Sequence, residues 1–180
     1  MNKLKCKAYD LRKNVLDMIM AGKCGHIGGD MSVMEILVTL YDRMNVSPEM
    51  AASPERDRFV LSKGHCVEAL YAVLADKGFL DIQEVIHSYS KFHSKYIGHP
   101  SNQLPGIEMN SGSLGHGLSL CVGMALAGKK DGYGYRVYTV MGDGELAEGS
   151  IWEAAMAASH YHLDNLCAVV DRNQLQISGN

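Results

Sequence analysis

Two apolar runs, Val137-Tyr138-Thr139-Val140-Met141 and Leu166-Cys167-Ala168-Val169-Val170, flank a glycine-rich acidic turn and an alanine-rich stretch. This order constrains the fold more than any other feature of the chain. Each run has strand length, and residues 150–161 between them have the length and composition of a helix. A strand–helix–strand unit implies parallel strands joined by a right-handed crossover. The chain is therefore expected to be α/β, with a parallel sheet flanked by helices.

In open α/β sheets, ligands gather at the carboxyl ends of the strands. The first run ends in Gly142-Asp143-Gly144-Glu145-Leu146-Ala147-Glu148-Gly149, the second in Asp171-Arg172-Asn173. Asp143 is a carboxylate between two glycines, where no Cβ obstructs the approach of a phosphate. Asn173 offers an amide oxygen at the end of the neighbouring strand, and the Leu175 carbonyl supplies a third oxygen where the chain turns away. Magnesium takes roughly six oxygens and usually completes its shell with substrate phosphates and water. Gly-Asp-Gly and Asn are also ordinary turn formers. Their pairing at matched strand ends across a helix points instead to a metal-assisted diphosphate site.

The rest of the chain supports this frame. Leu11, Val15, Met18 and Ile19 give a helix over about 4–21. A glycine-rich loop, Gly25-His26-Ile27-Gly28-Gly29-Asp30, follows, and Ser32-x-x-Glu35 reads as a capping box opening a second helix. Arg58–Leu61 is a short strand. A helix after it carries Val67, Leu70, Tyr71 and Leu74 on one side, with Gly78 as its C-terminal cap. Residues 81–89 form a short helix, 91–112 a long loop of the kind that is usually functional, and 114–128 a small-residue helix. A second capping box, Ser150-x-x-Glu153, opens the helix between the two strand runs.

Composition excludes several classes. A length of 180 residues fits one domain, 1–180, and a net charge of -3 leaves no basic footprint for nucleic acid. Five cysteines without a C-x-x-C pair suit reduced thiols in a cytoplasmic protein. No signal-peptide h-region and no apolar window of ~18 residues is present, so neither secretion nor a membrane span is expected. The sequence stops just past a predicted strand, so the fold is expected to be incomplete at its C-terminus.

The motifs in their order resemble the N-terminal, thiamine-diphosphate-binding part of transketolases along essentially the whole chain. They are Gly25-His26-Ile27-Gly28-Gly29, Leu61-Ser62-Lys63-Gly64-His65, Gly98-His99-Pro100, Ser111-Gly112-Ser113-Leu114-Gly115-His116-Gly117, Gly142–Gly149 and Asp171–Gly179. The resemblance implies a three-layer thiamine-diphosphate-binding fold. It implies that Asp143, Asn173 and the Leu175 carbonyl hold Mg2+ (or Ca2+ or Mn2+), and that His65 and Gly144 contact the diphosphate. Gly112 and Leu114 would line the thiamine. His116, where the family more often has glutamine, is a further cofactor contact. His26 and His99 would face substrate hydroxyls, and Glu148 would hydrogen-bond across a subunit interface. Ile27 and Ser113 stand where many full-length transketolases have proline, which leaves the fine shape of the pocket open.

Histidine titrates near neutral pH and suits the movement of hydroxyl protons. His87 and His93 read as surface residues, and His160 and His162 as residues closing a helix. The activating glutamate and the sugar-phosphate arginines of the family belong to a pyrimidine-binding domain that nothing in this chain resembles. The implied protein is thus one half of a split transketolase. It would transfer a two-carbon ketol unit between sugar phosphates with a C-terminal partner subunit, in a heterotetramer. Two other readings stay open: a related enzyme of deoxyxylulose-phosphate-synthase or dehydrogenase type, and a non-catalytic module that binds the magnesium diphosphate.

Overall fold

A computed structural model describes residues 3–176 and 179. The end of the last resembling segment, Ile177 and Ser178, and the terminal Asn180 lie outside the described residues. The chain divides into two compact units, Met1–Ala51 with His65–Asn110, and Ala52–Gly64 with Ser111–Asn180.

The first unit is helical. Helix α1, Lys3–Gly22, buries Ala8, Leu11, Val15 and Met18, one side chain per turn on a single face. Helix α2, Ile27–Arg43, buries Val33, Met34, Leu37, Val38 and Tyr41. Helix α3, Val67–Asp76, is buried from Val67 to Leu74 and packs against both. Each fully buried Leu, Val or Met here contributes about 1.5–3 kcal/mol. Gly78 ends α3 as expected: its φ is +85, and the next amide, Phe79 N, donates back to Leu74 O at 2.9 Å. Helix α4, Ile82–Ser88, is capped by Asp81, whose carboxylate accepts from Gln83 N and Glu84 N at 2.8 and 3.1 Å.

The second unit holds the sheet. Strands β1, Arg58–Leu61, β2, Val137–Gly142, and β3, Leu166–Asp171, pair in parallel in the order β1-β2-β3. The central strand β2 buries Val137, Thr139, Val140 and Met141. Helix α5, Gly117–Asp131, packs on the strands. Helix α6, Gly149–His160, packs on α5 and links β2 to β3. The parallel sheet flanked by helices is present, with the strand boundaries within one residue of those expected. No helix among the described residues is long and apolar enough to cross a membrane.

Three local expectations are corrected. Ser32 does not open α2: the helix begins at Ile27, and the Ser32 hydroxyl donates to Gly29 O inside it at 3.0 Å. Gly28 and Gly29 are therefore helical, and the loop is reduced to 23–26. Ser150 does not cap α6 either. Glu148 is the capping residue and makes no side-chain cap bond, while the Ser150 hydroxyl donates to Gly115 O at 2.7 Å. Both serines match the capping pattern, but a backbone carbonyl elsewhere claims each hydroxyl. The small-residue helix starts at Gly117, not at 114, because Leu114–His116 form the turn that leads into it.

Candidate active site

In the helical unit, three loop or helix-start positions converge. His26 directly precedes α2, His65 precedes α3 by two residues, and His99 lies in the long loop that runs from α4 to α5. The His26 ring stands edge-on to both others, with centroid separations of 5.4 Å to His65 and 6.3 Å to His99. His26 and His99 are exposed, and His65 is half-buried. A Cβ on Gly29 would lie 3.3 Å from the His65 ring, so the first turn of α2 passes close against that imidazole. Other histidines of the chain show surface or helix-end settings. His87 sits on the exposed face of α4 with Nδ1 2.7 Å from Gln83 O, His93 is exposed in the loop, and His160 ends α6.

In the sheet unit, Gly142 is in register with Asp171, which places Asp143 at the carboxyl edge beside the segment that follows β3. Asp143 bridges the two strand ends. Its Oδ1 accepts from Gly144 N at 3.1 Å, and its Oδ2 accepts from Gln174 N at 2.8 Å. Asn173 Oδ1 accepts from Leu175 N at 2.9 Å, so that turn is fixed by the side chain expected to hold metal. Each of these oxygens keeps a lone pair. One carboxylate and one amide form a hard donor set that fits Mg2+, Ca2+ or Mn2+ rather than a thiolate- or imidazole-seeking metal. No group of three or more His, Cys, Asp or Glu suited to a metal occurs among the described residues. Such a cation would draw much of its shell from ligand phosphates and water.

The turn before α5 carries the other expected contacts. Gly112 has φ +142, a conformation that excludes most side chains. Leu114 is exposed, and so is His116, whose Nδ1 lies 3.3 Å from Leu114 O. Gly144 lies against the Gln176 side chain: a Cβ there would lie 2.9 Å from Gln176 Oε1. Glu148 is exposed at the start of α6.

Two buried polar bridges hold these strand ends, and sequence reasoning missed both as functional supports. Glu145, 2% exposed, accepts from the Ser62 hydroxyl and from Gly115 N through Oε1, and from Gly142 N through Oε2. One carboxylate thus ties the end of β1, the end of β2 and the turn before α5. Lys63, 1% exposed, meets Asp171 at 2.6 Å and joins the outer strands across β2. All four side chains lie inside the sequence motifs, but an acid in a Gly-rich turn is normally solvent-facing. The missing signal was long-range pairing.

Residues 5–180 match the family described as transketolase, thiamine diphosphate binding domain. The chain belongs to that family. A relative from Phocaeicola vulgatus, one subunit of an apulose-4-phosphate transketolase, is 54% identical over 98% of this chain. Its namesake from Actinobacillus succinogenes is 42% identical over 99%. The chain spans 63% and 65% of the length of these two relatives. Among solved structures, transketolase from Campylobacter jejuni superimposes with a TM-score of 0.94 at 33% identity, covering 100% of this chain and 30% of the other. The transketolase resemblance of the sequence motifs and the fold expected from it both stand.

Proposed function

We propose that this chain is the thiamine-diphosphate-binding half of a two-subunit transketolase, transferring a two-carbon ketol unit between sugar phosphates. The observation that carries the proposal is the Asp143 carboxylate at the end of β2, bonded to the segment that bears Asn173 and Leu175, in a member of the transketolase family. Bound thiamine diphosphate would supply the electron sink for cleaving a carbon–carbon bond beside a ketone. Asp143, Asn173 and the Leu175 carbonyl hold a divalent cation, magnesium in the first instance, and His65 and Gly144 contact the diphosphate. Gly112, Leu114 and His116 line the cofactor.

His26 and His99 accept and return protons on substrate hydroxyls as the donor is cleaved and the acceptor extended. Imidazole is the side chain suited to that exchange at physiological pH. Glu148, exposed at the start of α6, reaches a hydrogen-bond partner on the neighbouring subunit. That subunit is a C-terminal transketolase chain with a pyrimidine-binding domain. The names of the two relatives, each given as one subunit of a transketolase, support a divided enzyme. The assembly is a heterotetramer in the cytoplasm, serving carbohydrate metabolism of the pentose phosphate kind. Five free cysteines accord with a reducing compartment.

Calorimetry and turnover test the reading together. With a pyrimidine-binding transketolase subunit present, thiamine diphosphate binds in a Mg2+-dependent manner and a ketose phosphate passes two carbons to an aldose phosphate. Asp143→Ala abolishes the metal dependence. Binding without any turnover leaves the non-catalytic module. Turnover of pyruvate with glyceraldehyde phosphate makes the chain a deoxyxylulose-phosphate-synthase type.

A further inference from the structure

A buried carboxyl group that the functional reading does not use lies within the helical unit. Glu68 on α3 is 0% exposed. Its Oε1 accepts the hydroxyl proton of Tyr89, the equally buried residue that closes α4, and its Oε2 has no hydrogen-bond partner among the described residues. A buried acid with one oxygen unmatched is unfavourable unless the fold uses it. Its surroundings indicate the use.

A Cβ on Gly25, whose φ is +151, would lie 2.6 Å from Glu68 Oε1 and 2.6 Å from Ile19 Cγ1. The backbone that delivers His26 therefore rests directly on this carboxyl group. The Tyr89 ring holds the same segment from its other end, since a Cβ on Gly22 would lie 2.6 Å from Tyr89 Cδ1. The Tyr89 hydroxyl also faces the second histidine loop, 3.7 Å from the Cβ position of Gly98. One turn further along α3, the Tyr71 hydroxyl donates to Ile97 O at 2.9 Å, with His99 O at 3.5 Å. Glu68 and Tyr71 are neighbours at three-residue spacing on α3, and His65 stands three residues before Glu68 in the turn that leads into the helix. Burial, reinforced by Glu68, raises both tyrosine pKa values above the ordinary 10.0, so both hydroxyls stay protonated as donors.

We propose that Glu68 and Tyr89 are positioning residues that set His26 and His99 for proton transfer, acting through the backbone of the loops at Gly25 and Gly98. Neither side chain touches substrate. The catalytic part of this inference rests on the transketolase reading, whereas the placement of the two imidazoles does not.

Tyr89→Phe keeps the ring and removes the hydroxyl. Glu68→Gln keeps an oxygen that can accept the Tyr89 proton. The full chain is studied by NMR at fixed pH for its imidazole resonances, and by ketol-transfer kinetics with its partner subunit. In Tyr89→Phe the His26 and His99 resonances move while His160 and His162 stay in place. The kcat falls about ten- to a hundredfold, the cost of a misplacement on the order of 1 Å, with KM nearly unchanged. Glu68→Gln, which keeps an acceptor for that hydroxyl, leaves both readouts much closer to wild type than Tyr89→Phe does. Unmoved His26 and His99 resonances in Tyr89→Phe overturn the inference, as does a kcat loss that tracks only a lowered melting temperature. Wild-type chain without ketol transfer sinks the functional reading instead, and the imidazole readout still decides whether Tyr89 and Glu68 place the histidines.

Discussion

In the helical unit, His26 and His99 stand exposed on loops, and the groups that hold them, Glu68, Tyr89 and Tyr71, lie buried beneath. In the sheet unit, Asp143 takes part in its own support, since its two oxygens join the ends of β2 and β3. The difference follows from backbone geometry. Strand ends are fixed by sheet pairing, so a carboxylate there can be both ligand and brace. Loops between helices lack such pairing, so an exposed side chain there and the scaffold beneath it are separate residues. Substitutions at the exposed histidines are therefore expected to cost activity at little cost in stability. Substitutions at the buried strand-end bridges are expected to cost stability first.

The largest effect is expected at the histidines. His99→Ala lowers kcat about 10²- to 10⁴-fold, the usual contribution of a proton-transferring side chain, while the denaturation midpoint stays within error. An equal loss of stability would erase the contrast between the units. Next comes Lys63→Met, which takes the counter-ion away from the buried Asp171 carboxylate and costs about 3–5 kcal/mol in urea unfolding. The double substitution with Asp171→Leu recovers most of that, because an apolar pair leaves no buried charge whose counter-ion has been removed. Failure to recover would mean that Lys63 has a further essential contact. Glu145→Gln is smaller. Whichever oxygen becomes an amide NH2 then faces a backbone N–H, at a cost of about 1–3 kcal/mol, read from the same unfolding curves with an unchanged slope.

The smallest effect sharpens the comparison from the surface. Arg12 grips both carboxylate oxygens of Glu35 and holds its pKa below the ordinary 4.5. A depressed carboxyl pKa means the pair stabilises the fold above the unfolded value and is lost as pH falls through the folded one. Glu35 is half exposed, so Arg12→Ala reduces stability at pH 7 by under about 1 kcal/mol. The difference between variant and wild type narrows in acid below about pH 4, near the ordinary carboxylate pKa, and melting curves from neutral to acid measure it.

Much of the fold was legible in the sequence because it is written locally. Apolar spacing located α1, β1, β2 and β3, and Gly78 marked the end of α3. The capping boxes at Ser32 and Ser150 misled for the complementary reason. A hydroxyl three residues before an acid satisfies the pattern, but Gly29 O and Gly115 O compete for the same proton. The convergence of His26, His65 and His99 was expected from the family resemblance, since 73 residues separate the first from the last.

By itself the sequence determined the strand–helix–strand order and the acidic turn at the end of β2, and through family resemblance it pointed to the cofactor class. These depend on periodicity and on short motifs that each carry their own physical reason. Tertiary structure decided which polar side chains are buried and what they hold. Ser62 meets Glu145 across 83 residues and Lys63 meets Asp171 across 108. A buried charge is tolerable only with its partner in place, and no local pattern records a partner that the fold alone brings near.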